Sequence, residues 1–242
     1  MLIGLLGLKG SGKDTAAGML VEHGFTRMAF ADALYAEAAA AFEVTPFFLS
    51  NRDSKELPLE RLALKHCRDT QFVELVTAEE LSQRRQAEEI LAAPRSPRWL
   101  LQQWGTEYRR QSRWGREEYW VEPVVRRIGH LPAGADIVLS DVREGAEVEL
   151  VRARGGRLVR INRRKVEEQD AQARAAGLVT ELHSSEILAR TCGVDFEVEN
   201  VEGDPQAMRS ALWGYVFPAQ AGMKGRCMPD AEASKANLTP AA

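Results

Sequence analysis

The sequence predicts an α/β fold, a three-layer sandwich in which a five-stranded parallel sheet lies between layers of helices. Short apolar runs of β-branched character alternate with helical stretches along the chain, as is typical of a parallel sheet that is covered on both faces. The length of 242 residues is enough for one good core. A long helical stretch, from about residue 35 to 128, interrupts the alternation. We therefore expect a helical insertion over the sheet.

The composition is that of a globular protein, with 45% hydrophobic and 28% charged residues. The formal net charge of -3 argues against a nucleic acid polymer as partner, because neutralising phosphates needs a basic surface. No apolar run has the length of a membrane span and no signal-peptide pattern opens the chain, so no membrane association is expected. Three cysteines without C-x-x-C spacing suit the cytoplasm.

The first strand and the first helix enclose a phosphate-binding loop. The apolar run 2–6 predicts a buried strand, and the segment GLKGSGKDT follows at 7–15. Glycines let successive N–H groups turn inward on a polyphosphate, and the positive end of the helix predicted over 14–23 adds to the attraction. Lys13 is placed to reach phosphate oxygens as a point charge. The loop therefore predicts a nucleoside polyphosphate as ligand.

The loop departs from the usual motif at one position. The pattern G-x-x-x-x-G-K is met, but Asp14 stands where serine or threonine is usual, and Thr15 follows one place later. A hydroxyl shifted in this way is typical of nucleoside monophosphate kinases. The alternative is a plain strand–turn–helix with incidental glycines, which the strand before and the lysine within the loop disfavour. The predicted phosphate-binding residues are Gly10, Ser11, Gly12, Lys13, Asp14 and Thr15.

The middle of the chain is predicted from local signals. Residues 25–30 form a short strand, and Asp32 begins an alanine-rich helix to about residue 42. A polar loop covers 45–58, and helices are predicted over 60–70 and, from a capping-box pattern, over 77–92. Ser96 followed by Pro97 begins another helix, and a further one spans 117–128.

The helix that begins at Ser96 carries two stripes at four-residue spacing. The apolar stripe comprises Leu100, Trp104 and Tyr108, and the polar stripe comprises Arg98, Gln102, Thr106 and Arg110. The polar stripe suits the base edge and phosphate of a nucleotide, but spacing alone favours an ordinary solvated helix face. Trp120 is expected in the core, as aromatic residues usually are.

The second half of the chain completes the sheet with strands over 135–140, 157–161 and 195–200, and a last helix follows from about 204 to 215. Asp141 comes at the carboxyl edge of the sheet, the ligand edge of open α/β folds, with Arg143 two residues later. There a carboxylate can hold Mg²⁺ and an arginine can clamp a phosphate. The alternative is that Asp141 caps the next helix and Arg143 pairs with it.

Two further segments complete the predictions from the residues. Arg163 and Arg164 follow the fourth strand, where arginines can fold over a transferring phosphoryl group. The alternative is a basic loop that balances neighbouring acids. His183 stands alone, without a second ligand at metal spacing. Residues from about 218 lack a periodic apolar pattern and predict a disordered tail.

Taken together, these residues make the chain resemble the phage-type deoxynucleoside monophosphate kinases of the P-loop nucleoside monophosphate kinase superfamily. The segments that carry the resemblance keep their order along the chain: 7–15, 30–34, 98–107, 119–121, 141–147, 183–186 and 196–200. The resemblance implies a P-loop kinase sandwich. Its divisions are a core of 1–34 and 129–217, a lid at about 162–183, a monophosphate-binding insertion of 35–128 and a tail of 218–242.

The resemblance also implies the reaction and the roles of residues. The reaction is phosphorylation of a deoxynucleoside 5'-monophosphate by ATP with Mg²⁺, the ion being held by phosphates and water and by Asp141 as a candidate ligand. The implied catalytic residues are Lys13, Asp141, Arg143, Arg163 and Arg164. The implied substrate-binding residues are Asp32, Arg98, Gln102, Thr106 and Trp120. The resemblance therefore implies that the polar stripe and Trp120 serve the substrate site, whereas the residues alone favour a solvated helix face for the stripe and a core position for Trp120.

Several points stay open at this stage. The alternatives are another small-molecule P-loop kinase, such as one like dephospho-coenzyme A kinase, and a nucleotide-binding regulatory ATPase without an acceptor. The chain departs from the resembled family at Tyr35, where that family often has lysine, a change on the substrate side. The preferred base and the formation of a homodimer are not fixed by the sequence. The expected location is the cytoplasm, that of the host if a phage encodes the chain.

Overall fold

A computed structural model describes residues 1–83, 86–176 and 184–217 of the chain. Within them, five strands form one parallel sheet in the order β2-β3-β1-β4-β5, which confirms the predicted α/β fold. The strands are β1 (Leu2–Leu6), β2 (Thr26–Met28), β3 (Ile137–Leu139), β4 (Arg157–Asn162) and β5 (Phe196–Glu199). Because the strands are parallel, the loops that follow β1, β3, β4 and β5 meet at one edge.

Helices connect and cover the strands. Those before β3 are α1 (Lys13–Val21), α2 (Phe30–Ala41), α3 (Pro46–Ser50), α4 (Thr70–Ser82), α5 (Ala87–Ala92), α6 (Pro97–Gln102), which continues as a π-helix (Gln103–Gln111), and α7 (Val121–Gly129). Those after β3 are α8 (Gly145–Ala153), α9 (Arg164–Ala175), α10 (Ser184–Thr191) and α11 (Pro205–Val216). Among the described residues, no helix is both long and apolar enough to span a membrane.

Two predicted helices in the middle of the chain are wrong. Two short 3-10 turns, Glu60–Leu62 and Leu64–His66, replace the helix predicted over 60–70, because Ala63 between them is extended with a ψ of 143°. Helix α4 begins at Thr70 rather than at residue 77, since the Asp69 side chain caps it by accepting the N–H of Phe72 at 2.9 Å. The predicted start at Ser96 is confirmed, and its side chain accepts the N–H of Trp99 at 3.2 Å.

Each face of the sheet has its own buried cluster. On one face, α1 and α11 pack on the sheet through residues such as Leu20 and Leu212. On the other, Phe72 and Trp104 of the helical stretch belong to one cluster with Leu6 of β1. The helical stretch therefore shares a buried core with this face of the sheet. His183, the end of the predicted lid and the predicted tail lie outside the described residues.

Candidate active site

The loop after β1 curls because three of its glycines have positive φ angles. Gly7, Gly10 and Gly12 have φ values of +143°, +84° and +104°, which glycine adopts without strain. A Cβ atom at Gly7 would lie 2.4 Å from the carbonyl oxygen of Ile161, and one at Gly12 would lie 2.3 Å from Nδ2 of Asn200. The loop is thus seated closely on the ends of β4 and β5, and its shape depends on glycine.

The side chains of Asn200 and Ser11 are buried against the loop between β1 and α1 or bonded to it. Asn200, which follows β5, donates a hydrogen bond from Nδ2 to the carbonyl oxygen of Ser11 at 2.8 Å. The Ser11 side chain is buried at 1% exposure, and its hydroxyl has no hydrogen-bond partner in the described part of the chain. A buried hydroxyl without a partner is costly. It is therefore a candidate donor to an anion bound in the loop.

The Lys13 side chain folds back over the loop. Its ammonium group donates to the carbonyl oxygens of Gly7 at 2.8 Å and Leu8 at 2.9 Å, which leaves one of its three N–H groups for a ligand. Burial, followed by the nearby Arg143 cation, lowers the pKa of Lys13 from 10.5 to about 8, although Asp14 and Asp141 act in the opposite direction. The site therefore holds a partly desolvated cation that an anion would stabilise.

Asp14 and Thr15 lie in the first turn of α1, and both are exposed. Neighbouring helical residues point about 100° apart around the axis. The shifted hydroxyl of Thr15 therefore cannot occupy the direction in which Asp14 points. Asp14 is one of the two carboxylates, with Asp141, that act on the pKa of Lys13.

Asp141 joins the end of β3 to the start of α2. Its Oδ1 accepts the N–H of Phe30 at 2.8 Å and its Oδ2 accepts the N–H of Ala31 at 2.9 Å. The alternative in which Asp141 caps the next helix is wrong, because the N-cap of α8 is Glu144. Burial raises the pKa of Asp141, while the two N–H groups and Arg143 oppose the change.

Arg143 is an exposed cation beside the loop. Its side chain makes no hydrogen bond or ion pair within residues 1–83, 86–176 and 184–217. Its charge acts on the pKa values of both Lys13 and Asp141, so the three groups lie within electrostatic reach of one another. The structure therefore brings together the three residues predicted for the transfer centre from the loops after β1 and β3.

The predicted lid arginines have different surroundings. Arg163 lines a cleft of about 400 Å³ that Gly7 and Ser11 of the loop also line. Its Nη2 lies 3.3 Å from Glu202, and its buried Nε has no partner among the described residues. Arg164 does not line this cleft; its side chain is 84% exposed and pairs with Glu168 one turn later at 2.9 Å.

Asp32 and Arg98, both predicted to bind the acceptor, have protein partners. Asp32 caps α2 by accepting the N–H of Ala29 at 3.2 Å and forms an ion pair with Arg127 at 2.8 Å. It lines a second cavity, of about 210 Å³. Arg98 forms an ion pair with Glu56. A substrate phosphate at Arg98 would have to share or displace Glu56, and a substrate donor group at Asp32 would compete with Arg127.

The remaining predicted acceptor residues differ in exposure. Gln102 is exposed and Thr106 is half-buried, whereas Trp120 is 3% exposed and donates from Nε1 to the carbonyl oxygen of Gly105 at 3.0 Å. Trp120 can therefore serve a base pocket as part of its wall, and its indole N–H is already bonded. A lysine ammonium does lie at Tyr35, because Lys55 donates to the Tyr35 hydroxyl at 2.9 Å.

Two residues of the site were missed by reasoning from the sequence. Asn200 supports the loop, and its position directly after a strand at the ligand edge was the available signal. Glu147 is 2% exposed and accepts the N–H of Arg143 at 2.7 Å. Its only local signal was the three-residue spacing from Glu144 that is typical of a capping box.

Comparisons with known proteins leave the family of this chain open. No protein-family model matches the chain, and no curated protein matches it. Among solved structures, it is similar to the crystal structure of TT1252 from Thermus thermophilus, with 15% sequence identity, coverage of 93% of this chain and 98% of that chain, and a TM-score of 0.39. A similarity at this level establishes neither a shared fold nor a shared function.

Proposed function

We propose that the protein is a P-loop kinase that transfers the γ-phosphoryl group of ATP to a deoxynucleoside 5'-monophosphate, giving the diphosphate and ADP. The observation that carries the proposal is the loop between β1 and α1. It combines left-handed glycines, a Ser11 hydroxyl that has no hydrogen-bond partner among the described residues, and the partly desolvated ammonium of Lys13. All three features favour a polyphosphate over a neutral ligand.

The residues present fit a nucleotide with its metal ion. Bound ATP supplies the activated phosphoryl group, and Mg²⁺ supplies charge neutralisation. The loop offers main-chain N–H groups, the Ser11 hydroxyl and the free N–H of Lys13. Asp14 and Asp141 are the carboxylates that act on Lys13. Within the described residues, no group of three or more His, Cys, Asp or Glu side chains could hold a metal, so phosphates and water would supply most ligands of the ion.

The transfer centre needs positive charge rather than covalent chemistry, because negative charge spreads over the transferring group. Lys13 and Arg143 supply this charge from the loops after β1 and β3. The Arg143 side chain makes no ion pair within the described part of the chain, so its guanidinium is available to a phosphoryl group. Arg163, in the cleft beside the loop, is the first candidate for the lid cation. The adjacent Arg164 is the second candidate.

The helical stretch is the candidate acceptor site. It shares its core with the sheet face beside the loop, and Asp141 holds the start of α2 at the same edge. In this proposal an acceptor bound by the helical stretch faces the donor phosphates, and exposed Gln102 and half-buried Thr106 are its candidate contacts. The choice of a deoxynucleoside monophosphate rests on the resemblance carried by residues 98–107 and 141–147. The proposal places the enzyme in the cytoplasm, where both nucleotides occur.

The experiment that tests the proposal measures ADP formation from ATP and Mg²⁺ with single acceptors. The panel contains dAMP, dGMP, dCMP, dTMP, dUMP, hydroxymethylated pyrimidine monophosphates and dephospho-coenzyme A. We expect ADP formation that depends on at least one deoxynucleoside monophosphate and that is lost in folded Lys13→Ala. Turnover with dephospho-coenzyme A alone would identify a different kinase. ATP hydrolysis that no acceptor changes would identify an ATPase.

A further inference from the structure

A buried carboxylate holds the backbone from which Arg143 projects. Glu147, in the first turn of α8, is 2% exposed. Its Oε2 accepts the N–H of Arg143 at 2.7 Å and the N–H of Glu144 at 3.2 Å. Two bonds to one oxygen fix the course of the chain between Asp141 and α8. The position of the Arg143 guanidinium therefore depends on Glu147.

The same carboxylate is tied to the helical stretch. Arg110, near the end of the π-helix, donates from Nη2 to Oε1 of Glu147 at 2.8 Å and from Nη1 to Glu144 at 3.2 Å. The Arg110 side chain is 18% exposed, and its buried Nε has no partner in the described residues. π-Helical turns within α-helices are frequent at functional sites. Because the planar Arg110 guanidinium is bonded to two carboxylates at once, a shift of the π-helix would move those carboxylates with it.

The buried position of Glu147 makes it dependent on Arg110. Burial, followed by the like charge of Asp141, raises the pKa of Glu147, whereas Arg110 and the N–H of Arg143 act in the opposite direction. A buried acceptor that loses its donor costs free energy. Loss of Arg110 would therefore take from Oε1 of Glu147 the donor that holds it at 2.8 Å and would loosen the chain at Arg143.

We propose that Arg110 and Glu147 form a coupling pair between the helical stretch and the transfer centre. Glu147 is a positioning residue that sets the backbone of Arg143, and Arg110 makes this setting depend on the position of the π-helix. An acceptor bound by the helical stretch would thereby adjust the cation at the transfer centre. This inference rests on the proposed function for its consequence in turnover, but the mechanical link can be tested without it.

The link is tested by amide hydrogen exchange of the segment 141–147 in the free protein. Arg110→Met should speed exchange at the amide of Arg143, a residue to which Arg110 does not bond directly, and the milder Arg110→Lys should speed it less. The matched control is Arg95→Met, because Arg95 also forms a largely buried ion pair, with Glu80 at 2.6 Å, elsewhere in the helical stretch. Equal exchange in wild type and Arg110→Met, or an equal change in Arg95→Met, would overturn the inference.

Kinetics test the consequence for turnover. Small displacements of catalytic groups cost up to about 100-fold in rate, so Glu147→Gln should lower kcat up to about 100-fold with little change in the KM for ATP. Arg110→Lys should recover most of the kcat that Arg110→Met loses. The double variant Arg110→Met/Glu147→Gln should be no slower than the slower single variant. Additive losses, or losses matched by Glu80→Gln, would contradict the coupling.

The two experiments separate this inference from the proposed function. If wild type phosphorylates no deoxynucleoside monophosphate, the proposed function is wrong, and the exchange experiment still decides whether Arg110 holds the Arg143 backbone. If wild type is active and exchange at 141–147 does not respond to Arg110, only the coupling pair is wrong.

Discussion

The lowered pKa of Lys13 predicts an unusual pH dependence of nucleotide binding. Only the protonated ammonium attracts phosphate, and its pKa in the free protein is about 8. A bound polyphosphate raises that pKa again, because an adjacent anion favours the charged form. Affinity should therefore be full below pH 7 and should fall as the pH rises through 8. Most other lysines would show such a loss only near pH 10.

The size of the effect follows from the fraction of Lys13 that is protonated. With a pKa of about 8, that fraction falls about tenfold between pH 7 and pH 9. If a bound nucleotide keeps Lys13 protonated, the affinity for ADP falls by the same factor of about ten. A lysine at its ordinary pKa of 10.5 would change affinity by only a few per cent over the same interval.

The assay is a calorimetric titration of ADP with Mg²⁺ at intervals from pH 6.5 to pH 9, with wild type and Lys13→Arg. Arginine stays charged throughout this range, so the variant reports every other source of pH dependence. We expect a fall of about tenfold in wild type and a nearly flat profile in Lys13→Arg. A flat wild-type profile, or the same fall in both proteins, would refute the idea that this ammonium contacts the nucleotide.

Three further predictions concern the loop and its supports. Gly12→Ala should cost at least about 1–2 kcal/mol of stability through its positive φ alone and should weaken ADP binding through the contact with Asn200. The control is Gly18→Ala, because a Cβ at this position of α1 would meet open space, and this variant should gain up to about 1 kcal/mol of stability. Urea unfolding measures the stability of both variants, and equal effects would contradict the strain assigned to Gly12. Asp141→Ala should lose about 1–2 kcal/mol of stability with its cap on α2, whereas no loss by the same method would speak against that cap. Burial raises the pKa of Glu147 from 4.5 to about 8, so between pH 4.5 and pH 8 the folded state binds more protons than the unfolded state. The free energy of unfolding should therefore fall as the pH rises through this range, by up to about 1.4 kcal/mol per pH unit. Glu147→Gln should flatten this slope, and an identical slope in the variant would exclude Glu147 as its source.

The strands and the loop were predictable because their signals are local. An apolar run, glycines at fixed offsets and a lysine specify the segment from β1 to α1 without help from the rest of the chain. The cap at Ser96 and the buried stripe of Leu100, Trp104 and Tyr108 were predictable for the same reason.

The supports of the site were not predictable because they join distant parts of the chain. Asp141 bonds to the N–H groups of Phe30 and Ala31, more than 100 residues earlier. Asn200 bonds to Ser11, 189 residues away. The helix predicted over 60–70 failed because its apolar spacing also fits two 3-10 turns that bury Leu62 and Leu64. In each case tertiary packing decides among conformations that the local sequence permits equally.

The most direct test of the account is the binding of a dinucleoside polyphosphate that joins adenosine to a deoxynucleoside through five phosphates. Such a molecule spans a donor site at the loop and an acceptor site at the helical stretch. Calorimetry should give one site per chain, an affinity above that of ATP or the deoxynucleoside monophosphate alone, and loss of binding in Lys13→Ala. Binding no tighter than that of ATP, or binding that Lys13→Ala leaves intact, would contradict a donor cradle facing an acceptor nucleotide.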